Sequence, residues 1–99
     1  MKYTMTKPCD ACPFLKAMKR GFTIRRLHQF SKGEFPCHKT ADTDEETSDF
    51  IARADSQHCA GALIFLEKRE KPHQMMRIAE RLGLYDMRKL DADSFKEVR

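Results

Sequence analysis

Between Pro72 and Gly83 the apolar residues Met75, Ile78, Ala79 and Leu82 recur at i, i+3, i+4 and i+7, the spacing of a helix with one apolar stripe. Pro72 stands where it opens that helix and Gly83 where it stops it. Upstream, FTIRRLHQFSKG puts Ile24, Leu27, His28 and Phe30 near one helical face, with Thr23 as N-cap and Gly33 as C-cap. HCAGALIFLEKREK is ambiguous by period alone, because the apolar run from Ala62 to Leu66 suits a buried strand or a helix. The charges that follow it, Glu67, Arg69 and Lys71, favour the helix. A short helical turn is expected over residues 13–18, closed by Gly21, and a last turn around Phe95, capped by Asp91 or Asp93.

The rest of the pattern is extended or polar. In EFPCHK, Pro36 pushes its neighbour toward the β region, so Cys37 is expected in an extended piece or short strand. TADTDEETSD has no apolar period and reads as a mobile acidic loop. A chain of 99 residues has room for one core, so a single domain over residues 1–99 is expected. Charged residues make up 34% and the mean hydropathy is −0.68, yet Phe, Leu, Ile and Met suffice for a packed fold. MKYTMTKP lacks the apolar stretch of a secretory signal, and no eighteen apolar residues run together. A cytoplasmic protein without a membrane partner is expected.

Charge is unevenly spread. From Pro13 to Gly33 the charged residues are Lys16, Lys19, Arg20, Arg25, Arg26 and Lys32, whereas Ala41 to Asp55 carries six acids and one arginine. A basic face built from Lys16, Lys19, Arg20, Arg25 and Arg26 would meet a nucleic acid or an acidic protein. Aromatic residues are not interleaved with these cations as a single-strand binder prefers, which favours a protein partner or a regulatory role.

The cysteines carry the candidate chemistry. A reducing compartment makes a spaced cysteine set a metal or catalytic feature rather than a cross-link. Cys9 and Cys12 form a Cys-x-x-Cys pair, and Cys37 and Cys59 follow after 24 and 21 intervening residues. Four thiolates are the full complement of a closed tetrahedral zinc site or a [4Fe–4S] cluster. Cys59, just before a helix, gains from the free N–H groups at a helix start, which lower the cost of forming its thiolate. His38 and His58 each adjoin a cysteine and are alternative ligands. His28 and His73 read as ordinary helix-face residues, and the Met75-Met76 pair as core packing. Zinc would add roughly 10–16 kcal/mol of apparent binding energy to a modest core. Pro13 directly after Cys12 and the isolation of Cys37 and Cys59 lean toward the cluster. The expected architecture is a small α+β, mostly helical single domain organised around a four-cysteine metal site.

CDACPFLK, FPCHKT and CAGALIFL, with the later MMRIAERLG, together resemble a family of small phage and bacterial proteins. Those proteins share a Cys-x-x-Cys-Pro-aromatic start, a Cys-His pair and a Cys-Ala-Gly. The resemblance spans Lys7 to Leu82 and implies that Cys9, Cys12, Cys37 and Cys59 act together, with His38 as a further candidate. It implies no activity, and Leu15 stands where family members carry arginine. KYTMTKPCDACPFLKAMKRG also resembles the opening of a glutaredoxin, which would make Cys9 a low-pKa nucleophile and Cys12 its resolving thiol. That resemblance leaves Cys37 and Cys59 without a role and demands a parallel βαβ unit that the pattern does not offer. No Gly-x-Ser-x-Gly, phosphate-cradling glycine loop or His-Glu-x-x-His occurs, and four thiolates leave no open position for metal hydrolysis. The function expected from the residues is a binding module with a metal site.

Overall fold

The computed structural model describes residues 2–9, 12–18, 21–37, 42–43, 46, 50–51 and 56–99. Four helices lie among them: α1 (Ile24–Phe30), α2 (Ala60–Lys68), α3 (Gln74–Arg81) and α4 (Ser94–Glu97). Two 3₁₀ turns, Lys16–Met18 and Met87–Lys89, complete the helical content. A two-residue antiparallel ribbon pairs β1 (Asp42–Thr43) with β2 (Phe50–Ile51), Asp42 opposite Ile51 and Thr43 opposite Phe50.

α1, α3 and α4 start where a side chain satisfies an otherwise orphaned backbone donor, and α2 does not. Thr23 caps α1 by accepting from the Arg26 N–H at 3.2 Å, as its sequence position predicts. Removing that bond in Thr23→Ala is expected to cost about 1 kcal/mol, read as a lower urea midpoint at unchanged slope. The α1 C-cap is Ser31, two residues before the expected Gly33. At the chain's end Asp91 does the capping work, accepting from both the Ser94 N–H (3.2 Å) and the Ser94 hydroxyl (2.7 Å).

α2 is the axis of the core. Every residue from Ala60 through Leu66 is buried, which is why the stretch shows no period in the sequence: a helix covered all round has no polar face to mark. α4 packs against it, and a run of rings covers it from the α1 side. Phe65 meets Phe14 at 5.2 Å between centroids, Phe14 meets Phe35 at 5.8 Å, and Phe35 stacks on Phe30 at 5.1 Å. Tilted and edge-on pairs of this kind add to the area they bury.

Three extended segments are laced together beside α2. Residues 56–59 run between residue 2 on one side and residues 35–37 on the other. Lys2 N–H donates to Ser56 C=O (2.9 Å), His58 N–H to Lys2 C=O (2.7 Å), Cys37 N–H to Gln57 C=O (2.7 Å) and Cys59 N–H to Phe35 C=O (2.7 Å). Pro36, which has no N–H to give, occupies an antiparallel bridge opposite His58.

The expected α+β domain organised around a four-cysteine metal site is corrected. Among the described residues the β structure is the short ribbon and isolated bridges, and no three Cys, His, Asp or Glu side chains gather as a group placed to hold a metal ion. The organising element is the apolar packing around α2, whose burial needs no metal to drive it. The apolar stripe of α3 is also one residue out of register with expectation. Met76 and Ala79 are buried, while Met75, Ile78 and Leu82 are exposed. The acidic stretch read as a mobile loop lies largely outside the described residues. No helix among the described residues is long and apolar enough to cross a membrane.

Candidate thiol centre

Backbone hydrogen bonds tie Cys12 to both Cys9 and Leu15. Cys12 N–H donates to Cys9 C=O and Leu15 N–H to Cys12 C=O, each at 3.1 Å. Cys12 lies in the core, fully buried, and Cys9 is half-buried at its edge. Cys59 is the N-cap residue of α2 and makes no side-chain cap bond. Its sulfur lies instead 3.4 Å from the sulfur of Cys12. The ladder of extended segments that fixes Cys59 also fixes Cys37, through backbone bonds from Cys59 N–H to Phe35 C=O and from Cys37 N–H to Gln57 C=O. None of the four cysteines is joined in a disulfide, and three of them are buried.

Backbone donors converge on the sulfur pair. The N–H groups of Phe14 and Gly61 reach the Cys12 sulfur, and that of Ala62 reaches Cys59. A hydrogen bond from Cys59 holds the Cys12 thiol below its usual range, reinforced by those amides against the cost of burial. Cys59 is pushed well up, because its bond to Cys12, complete burial and the nearby Cys12 and Cys37 charges all favour its proton. Within the pair the proton is therefore held more tightly by Cys59 than by Cys12. This reverses the expectation that the start of α2 would ease deprotonation of Cys59. The Gly61 amide in the first turn of that helix serves Cys12 across the gap.

Gly61 makes this approach feasible. A Cβ on it would lie 2.3 Å from the Cys12 sulfur and 3.2 Å from the Phe14 Cβ. Sequence reasoning passed over this residue. Its signal was a glycine in a helical first turn, where alanine is preferred by up to about 1 kcal/mol unless something comes close.

A histidine pair lies behind Cys59. His58, fully buried, and His73, nearly so, place their Nε2 atoms 2.9 Å apart with rings stacked at 5.1 Å. Their neighbours fix both tautomers. Met76 N–H donates to His73 Nδ1 at 3.2 Å, so His73 carries its proton on Nε2 and donates it to His58 Nε2. His58 Nε2 also accepts from Phe35 N–H at 3.3 Å, which leaves its Nδ1–H for the Cys59 carbonyl at 3.1 Å. Tyr3 stacks on His58 at 5.1 Å and donates its hydroxyl to Glu34 at 2.9 Å. Burial, helped by His73, depresses the His58 pKa to about 4, and burial lowers His73 as well.

His58, expected as an alternative ligand, therefore has both ring nitrogens engaged away from the sulfurs. His73, expected on a helix face, caps α3 and completes the pair. His38 lies outside the described residues, as do Lys19 and Arg20 of the expected basic face. Lys16, Arg25 and Arg26 are described and exposed, and Arg26 lies over the Phe30 ring at 5.4 Å. The sulfur that the structure places against Cys12 is that of Cys59, a contact the glutaredoxin resemblance does not imply.

Compared with known proteins, the chain matches no family model, no curated protein and no solved structure. The resemblance drawn from its cysteine motifs rests on those motifs alone.

Proposed function

We propose that the chain is a small metal-binding module that takes up zinc through thiolates, with Cys12 and Cys59 as its preformed half and Cys9 and Cys37 as the further donors. The observation that supports this is the 3.4 Å separation of the Cys12 and Cys59 sulfurs under three backbone N–H groups. A tetrahedral ion with zinc–sulfur bonds of about 2.3 Å sets its ligands about 3.8 Å apart, close to this spacing. A disulfide needs about 2.05 Å, and the thiolates of a [4Fe–4S] cluster bind separate irons and stand farther apart. The donor set is soft and the amides already compensate negative sulfur. Bound zinc would supply a fixed, redox-inert cross-link among three segments, and the chain's work is then binding rather than catalysis.

Elemental analysis of protein purified without oxygen tests this. About one zinc per chain is expected, lost in Cys12→Ser and in Cys59→Ser and weakened in Cys9→Ser and Cys37→Ser. A brown protein absorbing in the visible would replace zinc with a cluster. A colourless, metal-free chain, or one lighter by two hydrogens with Cys12 joined to Cys59, would overturn the reading.

A further inference from the structure

Lys16, Lys68, Arg69 and Arg99 come from three stretches of chain that only the fold brings together. Their meeting place is the seam where Val98 and Arg99 run beside Phe14 and Leu15. Leu15 bridges Val98 in antiparallel fashion, and Arg99 N–H donates to Phe14 C=O at 2.8 Å. Lys68, in the last turn of α2, donates its ammonium to the carbonyls of Phe95 and Val98, both at 2.7 Å. Arg69 donates Nη1 to the carbonyls of Phe65 (3.0 Å) and Arg99 (3.2 Å), and its guanidinium lies 3.7 Å from the centroid of the Phe65 ring. Arg99 in turn donates to Phe22 C=O, immediately before Thr23 and α1.

Lys68 and Arg99 give their bonds to neutral carbonyls, and Arg69 divides its donor between the Phe65 carbonyl and the main-chain oxygen of Arg99, the last residue of the sequence, so the positive charges are positioned and at most one of them is offset. Among the described residues no side-chain carboxylate pairs with any of the four, and the side-chain ion pair present there joins Arg88 to Asp86 elsewhere. The cations also feel one another: Lys68 is held below its usual range by burial, then by Lys16 and Arg69, and Arg69 by burial and then by Arg99. Like charges gathered this way oppose folding unless an anion is there to meet them.

We propose that this seam is a binding surface for the phosphate backbone of a nucleic acid. The alternative, an acidic protein, fits less well. Stable protein interfaces centre on clustered apolar or aromatic anchors, and of the large exposed apolar side chains, Met75, Ile78, Leu82, Leu84 and Met87 belong to α3 and the segment after it, which leaves Ile24 at the start of α1 as a single one near the seam. Phe65, beneath Arg69, is fully buried and offers no face for a base to stack on. What the seam presents is fixed cationic donors, which hold phosphates without reading sequence. The proposal is independent of zinc, which elemental analysis reads separately.

Fluorescence anisotropy with a short labelled duplex of arbitrary sequence tests it. Neutralising three to four phosphates predicts a log–log salt slope of about −3, so that tripling the salt lowers affinity roughly 30-fold. Lys16 is exposed and makes no hydrogen bond among the described residues, so Lys16→Glu should fold normally. That variant is expected to weaken binding about ten-fold and flatten the slope by about 1. Reversing an exposed charge on α3 in Arg77→Glu should change affinity less than about two-fold. Absence of binding at low salt, equal loss in both variants, or equally tight binding of labelled polyglutamate would overturn the assignment.

Discussion

Gly61→Ala is expected to unfold at about 2 M less urea than the native chain, although alanine is the better helix former. In an ordinary helix interior the substitution stabilises by up to about 1 kcal/mol. Here the new Cβ would lie 2.3 Å from a buried sulfur and 3.2 Å from the Cβ of Phe14, neither of which is a flexible tip free to swing aside. Overpacking of that kind costs about 1–3 kcal/mol, and the upper end applies because Cys12 and Phe14 are both fully buried. The net loss is about 2 kcal/mol, which at about 1 kcal/mol per molar urea gives the stated shift. The same displacement parts Cys12 from Cys59, so the variant should also lose zinc. A Gly61→Ala protein more stable than the native chain would show that α2 does not approach Cys12 as closely as described.

Stability is expected to fall by about 3 kcal/mol as the pH drops from 6.5 to 4. His58 titrates near 4 in the folded chain and near 6.5 when unfolded, so between those values the unfolded state binds the extra proton and folding weakens as acid is added. A displacement of this size corresponds to about 3 kcal/mol, present in full above pH 6.5 and lost by pH 4. The structural cause is plain: His58 Nε2 already accepts from His73 Nε2–H and Phe35 N–H, and a proton placed there would confront both donors. His73 shifts in the same direction, opposed only by Glu34, while Tyr3 covers the other side of His58 with a neutral ring. Urea titrations at several pH values, with imidazole resonances followed by NMR, measure both effects. A His58 resonance titrating near 6.5 with flat stability would refute this account of the pair.

Local signals in the sequence determined the local structure. Thr23 caps α1, the helix of residues 74–81 follows Pro72, Cys59 immediately precedes α2, and Pro36 lies in extended chain, because each depends on backbone chemistry within a few residues. Cys12 and Cys59 could be named as chemically important from residue type and spacing. Their partnership could not, since it arises where the segment of residues 12–15 meets the start of a helix 47 positions away. Nor could the buried side of α3: Met75 and Met76 are chemically identical, and only what packs against the helix decides that Met76 goes inside. His73 likewise looked like surface until the fold set it against His58. Propensity, caps and proline effects act over a few bonds and are therefore written in order along the chain. The thiol pair, the histidine pair and the cationic seam depend on tertiary proximity, which packing around α2, the extended ladder and the Leu15–Val98 bridge establish together.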